Sequence, residues 1–264
     1  MSSIDEVESG GHVPFSHPEY RHILRQLIEY LPILDYSEID QNTESFCVIR
    51  HDVEFSLDRA LELARIEHEM NINTSYFIQL NNDTYNPLSS KGIEIIHEIS
   101  KLGHKIGLHF TPSSAEHNII VEEFNTLKAI FYGKIGFNID RFSFHRPNLN
   151  VELLSNKIRI DGLINVYDDL FFEFFDGEIP DKPRVKYVSD SNHKWKYGSP
   201  LEAIDDGCRK LHILFHPFSW SEEGGNNLDN YLSLIKEKNH NLINSIDAEM
   251  SNFPLDEIIK KLEI

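Results

Sequence analysis

Apolar positions along the chain recur in two periods that alternate. Residues 17–31 carry Tyr20, Ile23, Leu24, Leu27 and Ile28 on one helical stripe, and residues 57–70 repeat this with Leu57, Ala60, Leu61, Ala64 and Ile66. Between and after such stretches lie short runs rich in β-branched and aromatic residues: SFCVIR at 45–50, TSYFIQL at 74–80 and KIGLHF at 105–110. Helices are expected at 91–102, closed by Gly103, and at 118–132, closed by Gly133. The second half repeats the alternation with shorter strands at 141–144, 163–167, 185–188 and 211–215. A short helix is expected at 200–206, with longer ones at 228–243 and 255–262.

Strands separated by helices of 10–15 residues imply βαβ units and a parallel sheet covered by helices. About seven units fit a distorted (β/α)7-type barrel, in the α/β class, better than an open six-stranded sheet. No G-x-G-x-x-G turn follows the first strand, which argues against a dinucleotide fold. With no internal repeat and no linker-like tract, the expected organisation is a flexible lead-in at 1–14 and one barrel domain at 15–264.

Charge narrows the partners. A formal net charge of −18 repels nucleic acid and anionic membrane surfaces. No apolar run approaches the ~20 residues of a membrane helix, so no stable membrane insertion is expected. The polar, acidic N-terminus has no signal-peptide pattern. Cys47 and Cys208 sit in apolar runs and read as reduced core residues, and together these features give a cytoplasmic expectation.

In a barrel, chemistry gathers where strands end. The first strand ends in Arg50-His51-Asp52-Val53-Glu54, and alternation puts Asp52 and Glu54 on one face, with His51 and Val53 on the other. Two carboxylates on one face can divide labour, one ligating a metal and one taking a proton from water. A structural Arg–Asp ion pair is the competing reading. His109 ends the third strand, whereas His104 lies at its start, roughly 15 Å away at ~3.3 Å per residue. His145 and Arg146 follow the next strand, and Pro147 should force Arg146 to be extended. His216 ends the most apolar strand and is placed as a general acid, and His212 reads as structural. Asp190 could fix the tautomer of a catalytic histidine or simply make a turn. Trp195 and Trp220, with the FFEFF run at 171–175, are candidates for stacking on a sugar, with core packing as the alternative.

The segments RHDVEFS (50–56), NTSYFI (73–78), GHKIGLHF (103–110), FHRP (144–147), SDSNHKW (189–195) and LFHP (214–217) occur in this order over residues 45–220. In that set the chain resembles the polysaccharide-deacetylase (NodB-homology) family, in the branch whose first motif reads Arg-His-Asp-Val-Asp/Glu. The resemblance implies a distorted barrel that removes an N-acetyl or N-formyl group from an amino sugar of a surface polysaccharide or its precursor, with one divalent metal, most often zinc. By the same resemblance Asp52 is the base, Asp52 or Glu54 a metal ligand, and His109 the first metal histidine. Arg146 braces the base, Asp190 is the fourth-motif carboxylate and His216 is the general acid. The family's second metal histidine stands four residues after the first, where this chain has Ser113. His145, His51 or His117 must then complete the site, and His145 is preferred because it follows a strand. If none does, a catalytically inactive glycan- or protein-binding domain is the alternative. A metal amidohydrolase of another kind would carry His-x-His on its first strand, which is absent here.

Overall fold

The computed structural model describes residues 11–262 apart from 157, 176, 178, 179, 181 and 182. Seven strands form one sheet: β1 (Phe46–Val53), β2 (Ser75–Ile78), β3 (Lys105–Phe110), β4 (Arg141–Phe144), β5 (Ile164–Asn165), β6 (Lys186–Ser189) and β7 (Lys210–Phe215). Their order is β5-β4-β3-β2-β1-β7-β6, and every pairing is parallel. The helices are α1 (His17–Tyr30), α2 (Leu57–Glu69), α3 (Ser90–Lys101), α4 (His117–Ile135), α5 (Glu152–Ser155), α6 (Pro200–Asp205), α7 (Asn227–Glu249) and α8 (Leu255–Leu262). This is a distorted (β/α)7 barrel. Among the described residues no backbone pairing joins β5 to β6, and side chains span that gap instead. The Phe172 and Tyr187 rings lie 5.3 Å apart across it, and from β1 the Arg50 guanidinium sits 4.7 Å from the Tyr167 ring.

Local chemistry explains most element boundaries. Ser16, Ser56, Ser89, Ser199 and Asn226 cap α1, α2, α3, α6 and α7, each accepting a bond from a first-turn amide that would otherwise lack a partner. Three boundaries differ from expectation by three residues or more. The first strand runs on through Asp52 to Val53, because strands on both sides satisfy its backbone and Arg50 pairs with Asp52 inside the barrel. α4 passes through Gly133 and stops at Gly136, whose φ of 89° lets its amide reach back to the Tyr132 carbonyl. α7 continues six residues beyond the predicted end at 243, to Glu249.

β1 is central and wholly buried, and its alternation sorts two environments. Cys47, Ile49 and His51 face the outer layer, where Tyr20, Leu24 and Leu27 of α1 pack with Leu63 and Phe215. Each such buried side chain stabilises by about 1.5–3 kcal/mol. Phe46 and Val48 belong to the other cluster, with Phe77, Phe142 and Tyr167. Tyr36 fills the barrel below the site by donating to His212 Nε2 at 2.9 Å, while His212 Nδ1–H donates to the Phe171 carbonyl at 3.1 Å. Burial, with Arg50 nearby, holds His212 well below its ordinary value, so it is a neutral packing group as expected. Phe171 is likewise core. Gly107 keeps β3 close to β2: a Cβ there would lie 2.5 Å from the Phe77 ring.

Of the expected N-terminal lead-in, residues 1–10 lie outside the described residues. Pro14 accepts a bond from the Gly225 amide at 2.8 Å. Both cysteines are free thiols. No helix among the described residues is long and apolar enough to cross a membrane.

Candidate metal and acid–base site

The carboxyl-terminal ends of β1, β3, β4 and β7 converge. Asp52 is on β1, and Glu54 lies just past its end on the same face. His109 is the penultimate residue of β3, His145 follows β4, and His216 follows β7. Glu54 Oε1 is 3.5 Å from His145 Nε2, 3.9 Å from His109 Nε2 and 3.9 Å from His216 Nε2. One ligand-type atom from each of Glu54, His109 and His145 lies within 4.8 Å of the others. Asp52 Oδ2 stands 3.8 Å from His109 Nε2, and Asp52 is not part of that three-residue set.

Burial sharpens the electrostatics. Asp52 is almost wholly buried, which alone would raise its carboxyl. Arg50, 3.3 Å away, acts with His109, His216 and the Ser143 hydroxyl to hold it below the usual carboxylate value. Glu54 is also lowered, because His109 and His216 outweigh its burial. His145 is lowered by burial and by His109 beside it. His216 moves the other way. Burial opposes its charge, but Asp190, bonded at 2.6 Å to Nδ1, raises it to about 9. Asp190 is completely buried and also accepts from the His216 amide at 3.0 Å and from Trp220 Nε1 at 2.8 Å.

One atom shows that the site suits a cation. His109 Nε2 is buried, has no hydrogen-bond partner, and lies between the carboxylates of Asp52 and Glu54. An imidazole nitrogen set between a buried and a half-buried carboxylate with no partner is unfavourable unless a proton or a metal ion lies between them. Two imidazoles and a carboxylate, with room for water, form the donor set of a catalytic divalent site.

No family model matches the sequence, and no curated protein matches it. Solved structures do. The chitin deacetylase of Colletotrichum lindemuthianum is similar with a TM-score of 0.45 at 13% identity, over 74% of this chain and 84% of that one. A CE4 esterase of Streptococcus mutans gives 0.44 at 11%, over 81% and 87%. A CE4 family pseudoenzyme of Bacillus anthracis gives 0.41 at 9%, over 75% and 62%.

Several expected residues fall elsewhere. Arg146 is exposed and left-handed, with φ 50° and ψ 49°, not extended. The His145 amide is still held by the Phe110 carbonyl, and the next turn closes from Leu149 to the Arg146 carbonyl, so the chain must reverse at Arg146 itself. The arginine beside Asp52 is Arg50, two residues back on the same strand. Trp220 is completely buried, and its ring packs among Phe15, Tyr20 and Phe215, so it offers no face to a sugar. Trp195 is half-buried in the same outer cluster, against Phe15 and Phe215.

The substitutes weighed for the missing histidine separate clearly. His51 lies behind the sheet, stacked 4.2 Å from Tyr76 and bonded at 2.9 Å to Tyr20. His117 opens α4 with Nε2 on the Arg159 carbonyl. Ser113 is exposed and its amide donates to Glu123. Only His145 of the three reaches Glu54 and His109. His104 is bonded to Thr74 and the Ala64 carbonyl, away from the site. Two polar residues of the site carried no motif signal. Ser143 bridges His109 and Asp52, and Thr111 bonds His145 Nδ1 at 3.0 Å.

Proposed function

We propose that this chain is a metal-dependent hydrolase that removes an N-acetyl or N-formyl group from an amino sugar of a surface polysaccharide or its precursor. The observation that carries the reading is the unpartnered His109 Nε2, held with His145 and Glu54 and facing an ionised, buried Asp52. The ordered motifs supply the choice of amide and sugar.

Glu54, His109 and His145 would hold one divalent ion, for which zinc fits a donor set of two nitrogens and one carboxylate. Such an ion polarises an amide carbonyl and acidifies a water. Asp52, kept ionised by Arg50, would be the base that takes a proton from the attacking water. His216 is protonated at neutral pH, its Nδ1–H is fixed on Asp190, and its Nε2–H faces the site. It therefore donates a proton to the departing amine nitrogen. Asp190 orients His216 and stabilises its charge, and the indole N–H of Trp220 in turn fixes Asp190.

The test is a metal titration of chelator-treated protein, together with acetate or formate release from N-acylated amino sugars. One equivalent of ion and metal-dependent release are expected, with both lost in Glu54→Gln and His145→Ala. A protein that takes up no stoichiometric metal and releases no acid, yet binds glycan equally well as Asp52→Ala or His216→Ala, would instead be a binding domain.

A further inference from the structure

The Ser143 side chain bridges two residues of the site. It is completely buried on β4, directly opposite His109 of β3 in the strand register. Its Oγ lies 2.7 Å from His109 Nδ1 and 3.2 Å from Asp52 Oδ1. A hydroxyl has one hydrogen to give. An ionised carboxylate only accepts, so that hydrogen belongs to Asp52. Towards His109 the hydroxyl oxygen must then accept, which requires a hydrogen on Nδ1. The neutral ring is left with its free lone pair on Nε2, the atom between Asp52 and Glu54 that has no hydrogen-bond partner.

We infer that Ser143 is the positioning residue that selects the Nδ1–H tautomer of His109, and so makes Nε2 the metal-ligating atom, while holding Asp52 in place. Without it the neutral ring has a better alternative. A hydrogen on Nε2 would point at two carboxylates 3.8 Å and 3.9 Å away. That tautomer puts a hydrogen in place of a lone pair between the acids and blocks the site to a cation. Ser143 thus acts against a self-quenched state that the two carboxylates themselves favour. Outer partners of ligating histidines fix ring orientation and tautomer, and losing one costs about 10- to 100-fold in metal affinity.

The inference rests on the metal site proposed above only in treating Nε2 as a ligand atom, so its test begins without metal. In chelator-treated wild-type protein, at a pH high enough that the ring carries a single hydrogen, the ring ¹⁵N shifts of His109, assigned by comparison with His109→Gln, should show that hydrogen on Nδ1. In Ser143→Ala the hydrogen should move to Nε2, and in Ser143→Thr it should stay on Nδ1. Zinc or cobalt titration should then give a Kd 10- to 100-fold weaker for Ser143→Ala, restored to within about threefold by Ser143→Thr. A wild-type ring without a hydrogen on Nδ1 overturns the inference with no variant needed. So does a Ser143→Ala protein whose tautomer or metal Kd is unchanged. If the wild type shows the Nδ1 hydrogen but binds no metal, the proposed function fails while the tautomer assignment stands.

Discussion

Asp190→Asn isolates the contribution of the buried acid–base pair. In the metal-free protein His216 is raised from the ordinary 6.5 to about 9, and the gap, at about 1.4 kcal/mol per pH unit, corresponds to about 3 kcal/mol. Because the folded value exceeds the unfolded one, folded protein holds an extra proton between about 6.5 and 9. That stability is fully present below 6.5 and is lost as pH rises through about 9. Asparagine removes the charge and turns an NH2 group towards donors from His216 or Trp220, so burial then dominates and His216 falls below 6.5. Urea unfolding in chelator, at several pH values from 6 to 9.5, measures the consequence. Wild type minus Asp190→Asn should shrink by about 3 kcal/mol across that range, and the His216 ring should titrate near 9 only in wild type. A constant difference between the two proteins, or a wild-type ring that titrates near 6.5, would refute the reasoning.

Other substitutions separate residues that the sequence motif alone would rank alike. Arg50→Met should destabilise by about 3–5 kcal/mol in denaturant unfolding, since it leaves the Asp52 carboxylate buried and unpaired. Arg146→Ala, on an exposed turn, should stay within about 0.5 kcal/mol of wild type in the same assay. Gly107→Ala should lower stability by about 1–3 kcal/mol, visible as a depressed Tm, because the new methyl meets the Phe77 ring and the Arg141 side chain. Trp220→Phe keeps the ring packing but loses the bond to Asp190, and about 1–3 kcal/mol of stability should go with it.

Much of the fold was legible because local signals agreed: helical stripes, β-rich runs between them, and a central strand whose apolar start gives way to alternating Arg50, Asp52 and Glu54 at its end. Alternation alone placed Asp52 and Glu54 together and sent His51 to the outer layer, where it meets Tyr20 and Glu67. What failed was chemistry set by tertiary context. Trp220 looks like a sugar platform when only its distance from His216 along the chain is known. It becomes a core residue once α1 brings Tyr20 against it. The rule that a residue before proline is extended gave way at Arg146, because the end of β4 and the turn after it left a single residue in which to reverse.

The candidate metal set shows most clearly why spacing within one segment is a weak guide. A histidine four residues after His109 would come from the loop beyond β3, and Ser113 there points its amide at Glu123 instead. The neighbouring strand supplies the replacement. β3 and β4 pair with His109 opposite Ser143 and Phe110 opposite Phe144, so two steps along β4 return to the same face at His145. The register that brings His145 to Glu54 therefore also puts the Ser143 hydroxyl on His109 Nδ1. The proposed ligand and the proposed orienting group thus come as an i, i+2 pair at the end of one strand. Shifting β4 by one residue would carry both to the outer face, so metal affinity and β3–β4 register should be lost together.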